Sequence, residues 1–202
     1  MKYQIKTCLS LIAVATFVVA CNSSSVKNNN TVASSSSNAT AKTVSAGEIK
    51  KLLAEHNIAR AKDGVPPLTW SGSLANYAQE WADQLKATKN CDIIHRPTSG
   101  NFKQRYGENL FQGGAVRWDD GRTELQNITA KNVLNAWSDG EKVDYNYASN
   151  SCNPGKQCGH YTQVVWKKTT QVGCAVAVCG DKTQVWVCNY NPPGNYVGER
   201  PF

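Results

Sequence analysis

No dense block of Lys or Arg occurs in the 202 residues, and the formal charge of +7 is scattered along the chain. Nucleic-acid binding calls for a basic stripe together with a recognisable module, so that partner class is excluded. There is no pair of CxxC knuckles, which removes the usual cysteine framework for structural zinc. No internal repeat organises the chain. The largely apolar run from Leu9 to Ala20 falls short of the roughly 18–20 residues that cross a bilayer.

That run does have a use. Lys2 and Lys6 precede it and Val18-Val19-Ala20-Cys21 closes it, which reads as an export signal over residues 1–20. The ending resembles the lipobox of bacterial lipoproteins. The resemblance implies cleavage before Cys21, lipidation of Cys21 and, with Asn22 following, sorting to an outer membrane or cell surface. Loss of Lys2 and Lys6 lowers the formal charge from +7 to +5. Residues 21–44 are rich in Ser, Asn, Thr and Ala and hold no aromatic residue, so they read as a flexible tether.

Eight cysteines are present. Cys8 leaves with the signal and Cys21 takes the lipid. Cys91, Cys152, Cys158, Cys174, Cys179 and Cys188 remain, an even set that implies three disulfides among fifteen pairings.

Helical spacing appears in Ile49, Leu52, Leu53, His56, Ile58 and Ala59, and Gly64 with Pro66-Pro67 stops it. A second helix runs from Ser71, its N-cap, to about Thr88, with Leu74, Tyr77, Ala78, Trp81, Ala82 and Leu85 on one side. Residues 106–111 read as a short turn or strand, Gly113-Gly114 as the opening of a polar loop to Gly121, residues 127–138 as a third helix and residues 145–157 as a loop. Three strands follow, over residues 161–167, 171–178 and 184–190, with Gly180-Asp181 as a hairpin turn. In the first, His160, Thr162, Val164 and Trp166 would share one face, with the histidine at the mouth of an apolar row. Helices followed by an antiparallel sheet define one α+β domain over residues 45–202.

Several stretches match a known family. Gly159-His160-Tyr161-Thr162-Gln163-Val164-Val165-Trp166 resembles the first signature of the CAP superfamily, which holds cysteine-rich secretory, antigen 5 and pathogenesis-related proteins. Cys188-Asn189-Tyr190-Asn191-Pro192-Pro193-Gly194-Asn195-Tyr196 resembles the second. Ala54–Arg60, Pro67-Leu68-Thr69-Trp70 and Tyr106-Gly107-Glu108-Asn109-Leu110 are similar to further family segments. The resemblance implies a three-layer α-β-α sandwich with a central antiparallel sheet. It also implies the bridges Cys91–Cys179, Cys152–Cys158 and Cys174–Cys188, and a cleft built from His95, Glu108, His160 and a second acid. At the family spacing after Trp137 stands Gly140. One inserted residue brings Glu141 into place, with Asp139 as its rival. Arg96 occupies the place of a serine common after the first histidine, and so removes a nucleophile.

Two histidines beside two carboxylates can bind a divalent metal, act as an acid/base pair or form a structural network. No cofactor is required by this pattern; the resemblance allows zinc or a related ion on His95 and His160. The favoured reading is a non-enzymatic, membrane-anchored protein that binds a lipid-like ligand, a sterol or a partner protein in the cleft. One alternative is a metal-dependent hydrolase of peptide or ester bonds, with Glu108 or Glu141 as base. Another is a structural envelope protein. Cys158-Gly159-His160 invites a thiol-protease reading, which fails because an even cysteine set leaves Cys158 bridged. His56, on the apolar face of the first helix, reads as a buried histidine bonded to backbone. Trp118 stands in the polar loop, either lining a groove or capping it. Asn127-Ile128-Thr129 fits a glycosylation pattern that a bacterial lipoprotein would not use.

Overall fold

The computed structural model describes residues 45–202. The export segment, Cys21 and the tether up to residue 44 lie outside the described residues. The elements in chain order are α1 (Ala46–Lys62), β1 (Thr69–Trp70), α2 (Gly72–Lys89), β2 (Gly107–Gly113), β3 (Val116–Arg117), β4 (Thr123–Glu124), α3 (Ala130–Trp137), α4 (Asp139–Lys142), β5 (Tyr145–Asn146), β6 (Ser151–Cys152), α5 (Gly159–Val164), β7 (Gln171–Val178) and β8 (Gln184–Asn191).

Capping chemistry sets the helix starts. The Ser45 and Ser71 hydroxyls accept from the Glu48 and Leu74 N–H groups, satisfying donors that a helix start leaves open. Thr129 and Asn132 cap α3 reciprocally. Ala130, Val133, Leu134 and Trp137 are its buried residues, an i, i+3, i+4, i+7 stripe. The sheet order is β1-β7-β8-β2, with β7, β8 and β2 antiparallel and the two-residue β1 parallel at the edge.

β8 is buried on both faces, and its alternation separates two cores. Trp186, Cys188 and Tyr190 join a cluster with α1, α3 and α5 residues such as Leu52, Leu134 and Val164. Val185 and Val187 join the α2 residues Ala78, Ala82 and Leu85. Side chains on opposite faces of one strand therefore serve opposite layers, which makes the three-layer sandwich. Gly173 lets α2 lie against β7: a Cβ there would overlap backbone atoms of Ser71, Leu74 and Ala75. The bridges are Cys91–Cys179, Cys152–Cys158 and Cys174–Cys188. Cys174 and Cys188 face each other across β7 and β8.

One expectation is overturned. The stretch read as a strand over residues 161–167 is not in the sheet; Gly159–Val164 form helix α5. The Thr162 N–H donates to the Cys158 carbonyl and the Val165 N–H to Tyr161, both at 3.0 Å. Glu141 accepts the His160 and Tyr161 N–H groups at 2.9 and 3.2 Å, closing the open start of the helix. From α1, the buried Arg60 donates to the Val164 and Trp166 carbonyls at 2.9 Å, closing its end. Tertiary partners outweigh the β-branched and aromatic preference of the stretch. His160, Thr162, Val164 and Trp166 accordingly do not share a strand face, and β2 supplies the third long strand of the sheet instead.

Smaller differences follow the same logic. Gly113 ends β2 instead of opening a loop, and the segment beyond it holds the β3–β4 ribbon. The region 145–157 carries the β5–β6 ribbon. The third helix is shorter than expected because Thr129 is its cap, and α4 follows immediately.

Candidate functional site

His95 lies on an irregular segment after α2, and Glu108 lies on β2 opposite Asn189 of β8. The His95 Nδ1 donates to Glu108 Oε1 at 2.8 Å, and the Arg96 backbone N–H donates to the same oxygen at 3.1 Å. The carboxylate is 2 % exposed and the histidine 60 %. Arg96 supplies the countercharge. Its buried guanidinium has Nε 3.9 Å from Glu108 Oε2, packs 3.6 Å over the Tyr77 ring, and donates from Nη2 to Glu80 at 3.0 Å and to the Tyr77 carbonyl. Arg96, where the resemblance would place a serine, is thus a buried cation behind Glu108.

The second pair is built differently. The His160 Nδ1 donates to Glu141 Oε1 at 2.5 Å, with the ring 25 % and the carboxylate 15 % exposed. The ring stacks on Trp137 at 6.0 Å between centroids. Asp139, the rival acid, points elsewhere and pairs with Lys62 at 2.9 Å on the surface. Burial alone would raise the Glu141 pKa, but the hydrogen bond and charge of His160 and the two backbone N–H groups outweigh it, so the carboxyl is held below its usual range.

A buried chain leads away from this pair. The Asn109 Nδ2 donates to the His160 carbonyl at 3.1 Å and to the Tyr190 hydroxyl at 3.2 Å. The Tyr190 hydroxyl donates in turn to His56 Nε2 at 2.8 Å, because Nδ1 of that ring donates to the Leu52 carbonyl at 2.7 Å. Burial lowers the His56 pKa to about 4. His56 is therefore a neutral structural link and lines no cleft.

The first pair and the His160 ring border one open cavity of about 390 Å³, while Glu141 holds that ring without lining the cavity. His95, Glu108, Asn109 and Asn195 line it with Cys152 and residues 156–160. Sequence reasoning passed over Asn109, Lys156, Gln157 and Asn195 as cleft residues; a strand asparagine, two loop amides and a loop lysine carry no spacing signal. Trp118 is half exposed over Arg122, 5.7 Å away, and is not among the lining residues.

A carboxylate only accepts, so each Nδ1 carries hydrogen and each neutral ring has Nε2 left for a ligand. That orientation is the one metal-binding histidines use. Two imidazoles are nevertheless one short of the three protein ligands of a catalytic zinc site. Both carboxylates are committed to Nδ1 and backbone N–H groups. Among the described residues no group of three or more His, Cys, Asp or Glu is placed to hold a metal ion. Cys158 is bridged to Cys152, so no thiolate stands beside His160.

Comparison with known proteins agrees with this architecture. The family model described as CAP, cysteine-rich secretory protein family, matches residues 53–190. Pathogenesis-related protein PR-1 of Medicago truncatula is 46% identical over 153 residues, covering 75% of this chain and 78% of that protein. Pathogenesis-related protein 1A of Nicotiana tabacum is 43% identical over 150 residues, covering 74% and 78%. Among solved structures, venom allergen-like protein 4 of Schistosoma mansoni superposes with a TM-score of 0.55 at 27% identity, covering 79% of this chain and 95% of that one. Three disulfides suit an exported domain in an oxidising compartment. The chain belongs to the cysteine-rich secretory protein (CAP) family and is of the pathogenesis-related PR-1 kind.

Proposed function

We propose that the domain is an exported, non-enzymatic binding module whose cleft recognises a polar segment of a partner protein. One observation carries this reading: both carboxylates of the quartet are spent on orienting an imidazole and holding backbone N–H groups. The cleft then offers a ligand two directed rings, the side-chain amides of Gln157 and Asn195, and Lys156. Such groups discriminate hydrogen-bonding partners. A lipid-like or sterol ligand would need an apolar lining, so the polar ligand is preferred at this cleft. The test is a panel of immobilised peptides and of lipid films, probed with the wild type and a His95→Ala/His160→Ala variant. Peptide capture that the double variant loses supports the reading. Lipid binding that the variant retains, with no peptide captured, overturns it.

The hydrolase alternative rests on the free Nε2 atoms alone. Zinc titration separates it: a stoichiometric ion lost in the double variant would make the cleft a Lewis-acid site, and absence of binding would leave a recognition surface.

Anchoring through Cys21 is a further part of the proposal. It rests on the Val18-Val19-Ala20-Cys21 sequence and the Ser/Asn-rich stretch behind it. The matched family region begins at residue 53 and is silent on it. Cys21→Ala should move the protein from the membrane fraction to the medium; a wild type already found only in the medium ends the lipoprotein reading and leaves plain secretion.

A further inference from the structure

The three disulfides are not equivalent. Cys91 and Cys179 are buried in the α2 core, and Cys174 and Cys188 are buried across β7 and β8. Cys152 is partly exposed, and its bridge to Cys158 borders the open cavity together with Lys156 and His160. It also closes the shortest loop, with a separation of 6 residues against 14 and 88. The probability of closing a loop falls as the three-halves power of its length, so this bridge restricts the unfolded chain least and the fold depends on it least.

We propose that Cys152–Cys158 is a thiol-exchange site in the cleft wall, opened by low-molecular-weight thiols of the glutathione type while the other two bridges stay closed. The incoming thiolate attacks Sγ of Cys152, the more accessible sulfur. A new S–S bond forms to Cys152, the Cys152–Cys158 bond breaks, and its electron pair leaves on Cys158 as thiolate. A second thiol then displaces Cys152, so that two thiols become one disulfide and both cysteines are left reduced. The positive charge of Lys156 on this wall favours the thiolate forms.

Opening the bridge has a local consequence. Residues 153–157 are exposed, and their backbone N–H bonds are those of Asn153 to the Asp144 carbonyl and Lys156 to the Asn153 carbonyl. With the bridge gone, the wall carrying Lys156 and Gln157 is released from α5. The helix itself keeps its place, because Glu141 and Arg60 hold its two ends without the disulfide. Exchange would therefore widen the cavity at one wall and leave the His160–Glu141 pair intact.

The experiment is titration of the intact folded protein with reduced glutathione, followed by rapid alkylation and peptide mass mapping. It uses no cleft ligand, so its outcome is independent of what the cleft binds. The expected result is alkylated or glutathionylated Cys152 and Cys158 at a thiol concentration that leaves both other bridges closed, because the sulfurs of those bridges are buried. A Cys152→Ser/Cys158→Ser variant that keeps the other two bridges and the wild-type circular dichroism is also expected. Simultaneous reduction of all three bridges, or Cys152–Cys158 opening last, overturns the proposal.

Discussion

The two halves of the cleft use the same chemistry with opposite mechanics. On the His95 side the carboxylate is the fixed member: Glu108 is buried on a strand beside the Arg96 guanidinium, while the histidine stands mostly in solvent. On the His160 side the histidine is fixed as well, stacked on Trp137 and carried by a helix whose start Glu141 holds. The difference teaches that a His–carboxylate distance near 2.5–2.8 Å does not state which partner the fold pays for. In the first pair burial falls on the acid. In the second it is shared, and the acid also maintains the backbone.

The comparison breaks most visibly at Arg96. Arg96→Met strands a buried carboxylate, and a cost of about 3 kcal/mol is expected, read from the urea midpoint; a loss below about 1 kcal/mol would mean that Glu108 does not depend on this cation. Acidification comes next, with His56, the histidine lacking a carboxylate, as its probe. Its folded pKa of about 4 lies below the ordinary value of 6.5. The unfolded chain thus binds more protons, and stability present above about pH 6.5 is lost as pH falls toward about 4, by about 3 kcal/mol at most. Chemical denaturation at pH 7, 5.5 and 4.5 measures it, and a flat profile would contradict a neutral buried His56. The smallest effects sharpen the contrast within the quartet. His160→Ala should cost about 1–2 kcal/mol through the lost stack and hydrogen bond, and His95→Ala no more than about 0.5 kcal/mol. Equal losses in thermal melts would erase the distinction between a fixed and a free ring.

Much of the frame was legible in the residues. Ser71 announced α2, and the β7 and β8 strands followed from their composition and the Gly180-Asp181 turn. α5 was not legible, because Tyr161, Thr162, Val164 and Val165 have strand preferences and the forces that coil them come from Glu141 and Arg60, distant in sequence. α4 is four residues long, too short for periodicity, and it carries Glu141 to His160. The choice between Glu141 and Asp139 rested on the family spacing and left both open; the surface pair with Lys62 separates them. Arg96 was noticed only as a missing serine. No local pattern distinguishes a buried arginine from the usual solvated one.

The chain from His56 through Tyr190 and Asn109 to the His160 carbonyl ties the first helix, a central strand, an edge strand and the cleft helix into one unit. In the language of native-state hydrogen exchange, α5 then belongs to the slowest-opening foldon despite its six residues and its place at the rim. Its far end, held by Arg60, would open only when α1 parts from it, so the ring of His160 is carried on a durable helix, whereas residues 153–157 beside it answer to fluctuations that cost far less.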